Sequence, residues 1–121
     1  MIIARGRESG ATSSRRTETF TGEVWADPVL APTDGVMVNA IVFAPGARSY
    51  WHRHEHGQVL IVTAGEGYVC ADGGESQVVR AGDVIWAPPG ERHWHGAGDE
   101  SYLTHIAISI GTTMWETEVE E

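Results

Sequence analysis

Glycine and proline interrupt this chain so often that no long helix has room to form: 15 glycines and five prolines stand among 121 residues. Glycine opens the positive-φ region at turns, and proline lacks the N–H that a helix interior needs. What lies between these breaks is short, apolar or alternating, and rich in Val, Ile and Thr, the residues that fit a pleated surface. The spacing predicts roughly eight to ten short strands in an all-β sandwich or barrel, with no long amphipathic helix and no internal repeat.

The expected strands follow the turn signals. Thr19 to Trp25 alternates and ends at Asp27-Pro28, and the turn-rich run from Ala31 to Gly35 connects it onward. Val36 to Phe43 is continuously apolar, as in a strand covered on both faces. Ser49 to His54 and Gln58 to Thr63 flank a short link, and Ala64 to Gly67 breaks the second. Tyr68 to Ala71 and Gln77 to Arg80 read as a hairpin across Asp72 to Glu75. Asp83 to Ala87, His93 to His95 and Tyr102 to Ile110 complete the set. The domain plan is an N-terminal arm over 1–17, one barrel over 18–110, and an acidic tail over 111–121, extended or helical in part.

Charge narrows the partners. The formal net charge is −9, and no basic stripe exists to neutralise phosphates, so nucleic acid is not an expected partner. The N-terminus has only four consecutive apolar residues before charge intervenes, and no run approaches a membrane span. Cys70 is solitary and has no internal disulfide partner. A cytoplasmic protein is the expectation.

Histidine placement carries the chemistry. His52, His54 and His56 sit together, His93 and His95 form a second pair, and His105 lies on the last long strand. Residues two apart on a strand share a face, so His52 and His54 aim one way, as do His93 and His95. Neutral imidazole ligates zinc, copper, nickel, iron and manganese. A lone His-x-His is also a common surface or core pair, and spacing alone leaves both readings open. His105 shares a face with Leu103, Ala107 and Ser109, while the face of Tyr102, Thr104, Ile106 and Ile108 is the more apolar. On that pattern His105 need not be a core residue.

Two stretches resemble the cupin superfamily. From Gly46 to Gly65 the chain runs Gly, five residues, His52-x-His54, three residues, Gln58, six residues, Gly. From Gly82 it runs Gly, five residues, Pro88-x-Gly90, two residues, His93. The resemblance implies a double-stranded β-helix, or jelly-roll, barrel of two antiparallel sheets with one divalent metal ion inside. Gln58 stands where cupins commonly carry Glu, and Ala97 where many have Asn. Three neutral histidines and a neutral amide leave the ion's charge uncompensated, which favours anionic oxygen or cyanide and strong Lewis acidity.

Residues 20–28, 43–54, 57–67, 82–97 and 104–108 resemble a narrower group, the small bacterial cupins that include manganese-dependent hydroxynitrile lyases. That resemblance implies a manganese centre on His52, His54, Gln58 and His93, with iron, zinc or nickel as alternatives. It also sets His105 against the open metal positions, with His95 nearby and Asn39 and Ile41 facing the pocket. A cyanohydrin hydroxyl would lose its proton to His105, and carbon–carbon cleavage would release aldehyde and cyanide. The leading expectation is therefore a metal-dependent lyase for cyanohydrins or related α-hydroxy or carbonyl compounds. An iron-dependent oxygenase and a non-catalytic small-ligand binder are the alternatives, because fold does not fix reaction. The expected partners are a small-molecule substrate and further copies of the chain, as homodimer or homotetramer.

Overall fold

The structure, a computed structural model, describes residues 1–6 and 12–120. The parts of the expected arm and tail at 7–11 and 121 lie outside that range. Twelve strands and no helix appear among the described residues: β1 (Ser14–Arg15), β2 (Phe20–Thr21), β3 (Val24–Thr33), β4 (Val36–Phe43), β5 (Arg48–Ser49) and β6 (His52–His54) lead. There follow β7 (Gln58–Ala71), β8 (Gln77–Arg80), β9 (Val84–Ala87), β10 (His93–Ala97), β11 (Leu103–Ile110) and β12 (Thr113–Trp115). Every pairing is antiparallel.

One sheet is built on β3, β4, β11, the first half of β7 and β9; the other on the second half of β7 with β8, β10, β5, β6, β2 and β12. β7 belongs to both. Its residues Gln58 to Ile61 pair with β9, and Glu66 to Val69 pair with β8. The expected break at Ala64 to Gly67 is thus a bend inside one long strand. Gly65 makes it, with φ of 79°. A Cβ there would strike the carbonyl of Tyr102, the residue before β11, so the crossing strand requires glycine in both conformation and space.

The expected end at Asp27-Pro28 is also absent, because β3 continues to Thr33. β1 covers β3 only at Trp25 and Ala26, so beyond them that edge of β3 carries no partner strand and the missing proline N–H costs no ladder bond. β3 turns into β4 at Asp34-Gly35, both at positive φ, the two-residue geometry that matches strand twist. Pairing extends past the expected barrel bounds at both ends: Ser14 and Arg15 add to β3, and Thr113 to Trp115 add to β6.

Inward residues fall in rows across the first sheet. Leu103 lies beside Phe43, which lies beside Val24, and all three are fully buried. The next rows place His105 between Ile41 and Val62, Ala107 between Asn39 and Leu60, and Ser109 between Met37 and Gln58. One end of the barrel is therefore an apolar plug and the interior becomes polar toward the other end. On β11 the buried face is Leu103, His105, Ala107 and Ser109. The more apolar face, with Ile106 and Ile108, looks outward and is half-buried, so His105 lies inside the barrel. Val36 to Phe43 is likewise covered on one face only, with Ile41 and Phe43 buried and Val42 exposed.

Candidate metal centre and cavity

Six polar side chains converge inside the barrel, and each owes its aim to strand parity. His52 and His54 face inward from β6, His93 and His95 from β10, His105 from β11 and Gln58 from the start of β7; all six are buried. β6 and β10 are neighbours with His52 directly opposite His93, which brings the two HxH segments into register. The rings of His52 and His93 are 4.4 Å apart, those of His52 and His54 5.0 Å, and those of His54 and His93 5.5 Å. His95 is 5.1 Å from His52. His56, in the link, is exposed.

Outer nitrogens are tied down. His52 Nδ1 donates to the Tyr50 carbonyl at 2.8 Å, and His93 Nδ1 to the Glu91 carbonyl at 3.1 Å. His54 Nδ1 meets Thr113 Oγ1 at 3.1 Å. Burial is the first cause of lowered basicity throughout. It brings His52 down to about 3, with neighbouring His93 adding to the effect, and His54 down to about 4 for the same two reasons. His93 is lowered by burial, His95 well lowered by burial and then by His105, and His105 falls to about 4 by burial. At neutral pH the rings are uncharged.

A neutral ring that donates through Nδ1 presents a lone pair at Nε2. His52 and His93 therefore turn bare Nε2 atoms inward. Gln58 donates its N–H to Ser109 Oγ at 3.1 Å, so its carbonyl oxygen faces His93 Nε2 at 3.3 Å. That pairs acceptor with acceptor. His54 Nε2 is buried with no hydrogen-bond partner. The His52 and His93 lone pairs and the Gln58 oxygen converge on a charge pattern that a cation completes. Ligand atoms of His52, His93 and His95 lie within 4.8 Å of one another, so three buried histidines fit a divalent metal site. His54 and Gln58 flank this trio.

The centre opens on a cavity of about 690 Å³, within the usual size of a small-molecule site. His52, His54, Gln58 and His95 lie on its wall, as do Asn39 and Ile41. His93 contacts Gln58 at 3.3 Å, and His105 contacts His95, which lines the cavity, at 3.0 Å. Phe20, Leu30 and Trp115 supply apolar surface. Sequence reasoning did not single out Thr113 or Trp115, because the tail reaches the site only by pairing with β6. The roles of Ser109 and of the Tyr50 and Glu91 carbonyls were also missed; only the inward parity of Ser109 with His105 hinted at any of them.

Residues 39–108 match the cupin domain family model. The chain is a cupin. Over 102 residues, 83% of this cupin and 78% of the relative, it is 44% identical to an (R)-mandelonitrile lyase of Granulicella tundricola. A crystal structure of a cupin-like protein from Thermotoga maritima superposes with a TM-score of 0.86 at 36% identity, covering 95% of this cupin and 92% of that chain. The polyketide cyclase RemF of Streptomyces resistomycificus shares the fold at a TM-score of 0.79 and 16% identity, over 99% of this cupin and 87% of that chain. So distant a relative speaks for the barrel alone. Among the described residues no helix is long and apolar enough to cross a membrane.

Proposed function

We propose that this cupin is a metal-dependent lyase that cleaves cyanohydrins such as mandelonitrile, or closely related α-hydroxy compounds, into a carbonyl compound and an anion. The observation that carries the reading is the convergence of the inward Nε2 atoms of His52 and His93 with the Gln58 carbonyl oxygen beside a small-molecule cavity. It stands in a chain 44% identical to a protein named as a mandelonitrile lyase.

His52, His54, Gln58 and His93 are the residues to hold the ion, and manganese is the proposed metal. A divalent cation there supplies a Lewis acid whose charge no ligand carboxylate offsets. The chain's own residues do the rest. The apolar wall of Phe20, Leu30, Ile41 and Trp115 receives an aryl or alkyl group and excludes water around it. The neutral His95–His105 pair takes the hydroxyl proton, and burial together with a nearby cation keeps both rings uncharged until then. Solitary Cys70 supports a reducing, cytoplasmic setting.

The test is cyanide release from (R)-mandelonitrile by manganese-loaded protein beside a His52→Ala variant. Metal-dependent release that disappears in the variant is the expected result. Release at the buffer rate by fully loaded protein would sink this substrate.

A further inference from the structure

The two segments that carry His52, His54 and His93 are joined to each other by very little ladder. β6 and β10 share a single register pair, His52 with His93. A centre whose ligands come from both segments needs something else to hold their spacing. The other neighbour of β6 is the tail. β12 pairs with β6 and with no other strand among the described residues, and it sets Trp115 opposite His52 and Thr113 opposite His54. The Trp115 ring lies 4.6 Å from the His52 ring and 5.4 Å from that of Phe20.

The next residue of the tail, Glu116, meets two arginines. Arg53 Nε donates to Glu116 Oε2 at 2.6 Å, and Arg92 Nε donates to Glu116 Oε1 at 2.7 Å. Arg53 stands between His52 and His54, so strand alternation turns it away from the interior that they face. Arg92 immediately precedes His93. One carboxylate therefore ties the segment bearing two of the proposed ligands to the segment bearing a third.

Both guanidiniums are also fixed at a second point. Arg53 Nη1 donates to the Gly90 carbonyl at 3.0 Å. Arg92 lies over the Trp51 ring, 4.1 Å from its centroid, with Asp72 at 3.5 Å from Nη1. The main chain closes the same circuit. The Glu116 N–H donates to the Trp51 carbonyl at 2.8 Å, the Trp51 N–H to the Thr117 carbonyl at 2.9 Å, and the Gly90 N–H to the His54 carbonyl at 3.0 Å.

We propose that Glu116 is a positioning residue for the metal centre: its carboxylate staples Arg53 to Arg92 and so sets the spacing of His52 and His54 against His93. This rests on the metal-dependent reading above and deepens it, by naming a residue outside the cavity that governs how tightly the ion is held. An isolated surface ion pair is worth little to the fold. Partners that orient metal ligands, by contrast, change metal affinity by about 10–100-fold. Glu116 acts one step further from the ion, so its effect falls at about five- to tenfold, on the centre rather than on the fold.

The test is the cobalt(II) affinity of the whole protein, measured by competition with a chelating dye, together with the d–d absorption of the bound ion. Glu116→Gln retains the volume and removes the charge. It should weaken binding by about five- to tenfold and alter the d–d bands, while the metal-free protein melts close to wild type. Arg92→Gln should do the same, and the double variant should be no worse than either, because the two residues act as one unit. Arg80→Gln breaks an ion pair of similar length, to Glu66 at 2.9 Å on β7, and should leave affinity and bands as they are. The gap between wild type and Glu116→Gln should narrow in about 1 M salt, which screens exposed charges.

Unchanged affinity and bands in Glu116→Gln would overturn the proposal and leave the metal reading standing. Losses that add in the double variant would overturn it too, by making the two residues independent. So would an equal loss in Arg80→Gln, which would reduce the effect to surface charge in general. A wild type that takes up neither cobalt nor manganese overturns the metal reading first and the staple with it.

Discussion

Gln58 on β7 donates its amide N–H to Ser109 on β11 at 3.1 Å, and this one hydrogen bond decides which end of the amide faces the histidines. The two residues lie directly opposite each other in the ladder between those strands.

Removing that tether should weaken the metal centre more than the fold. In Ser109→Ala the amide turns freely and its oxygen faces His93 only part of the time. Loss of a partner behind a ligand typically costs 10–100-fold in metal affinity, and we expect about tenfold here. Competition with a chelating dye measures the affinity, and the melting temperature of metal-free protein should move little. Unchanged affinity would show that Gln58 needs no such guide.

Acid should destabilise the metal-free protein earlier than its carboxylates would. An unfolded histidine titrates near 6.5, whereas His52 does so at about 3 and His54 and His105 at about 4 once folded. Between those values the unfolded chain binds protons that the native chain refuses, so stability rises with pH. Stability is intact above about pH 6.5 and falls as pH drops toward 4, each such histidine costing about 1.4 kcal/mol per pH unit in that window. Urea midpoints at pH 7.5, 6.0 and 5.0 should fall in that order. A flat series would contradict neutral burial of these rings.

Gly65 is the residue on which β7 depends to serve both sheets. Gly65→Ala forces a Cβ into the Tyr102 carbonyl at a φ of 79°. We expect a loss of about 2–4 kcal/mol, read as a lowered melting temperature. Gly35→Ala meets nothing within 4 Å, although its φ is 83°, and serves as the control for strain without collision. It should cost about 1 kcal/mol.

The outward face of the first sheet carries Val42, Val84 and Trp86 exposed, at 42%, 66% and 54%, beside half-buried Val59, Ile61, Ile106 and Ile108. Apolar surface that continuous is a candidate face for a second copy of the chain. Light scattering of the native protein should give a multiple of 13.1 kDa, and Trp86→Glu should reduce it. A monomer in both cases would remove the proposal of a homo-oligomer.

Much of the fold is legible locally because its causes are local. Positive-φ glycines and prolines mark turns wherever they stand, and the register of His52 with His54 and of His93 with His95 is a property of strand parity. The shared facing of each histidine pair therefore reads straight off the chain. Where the local reading failed, a partner strand had changed the meaning of a signal. Pro28 reads as a strand end, yet it sits in β3 where β1 no longer pairs and no N–H is needed. Gly65 reads as a break, yet it is the bend that lets β7 cross between sheets. The apolar side of β11 reads as the core side, yet the barrel closes around its histidine side.

By itself the sequence determined an all-β chain in which His52 shares a face with His54 and His93 with His95, because alternation and turn chemistry act within a few residues; the cupin barrel and the place of Gln58 came from the resemblance of its two motifs. Only the tertiary structure decided that His95 meets His105, that Ser109 orients Gln58, and that Thr113 and Trp115 return to the site. Each of those facts joins residues on different strands, and their meeting depends on barrel closure, which no local spacing encodes.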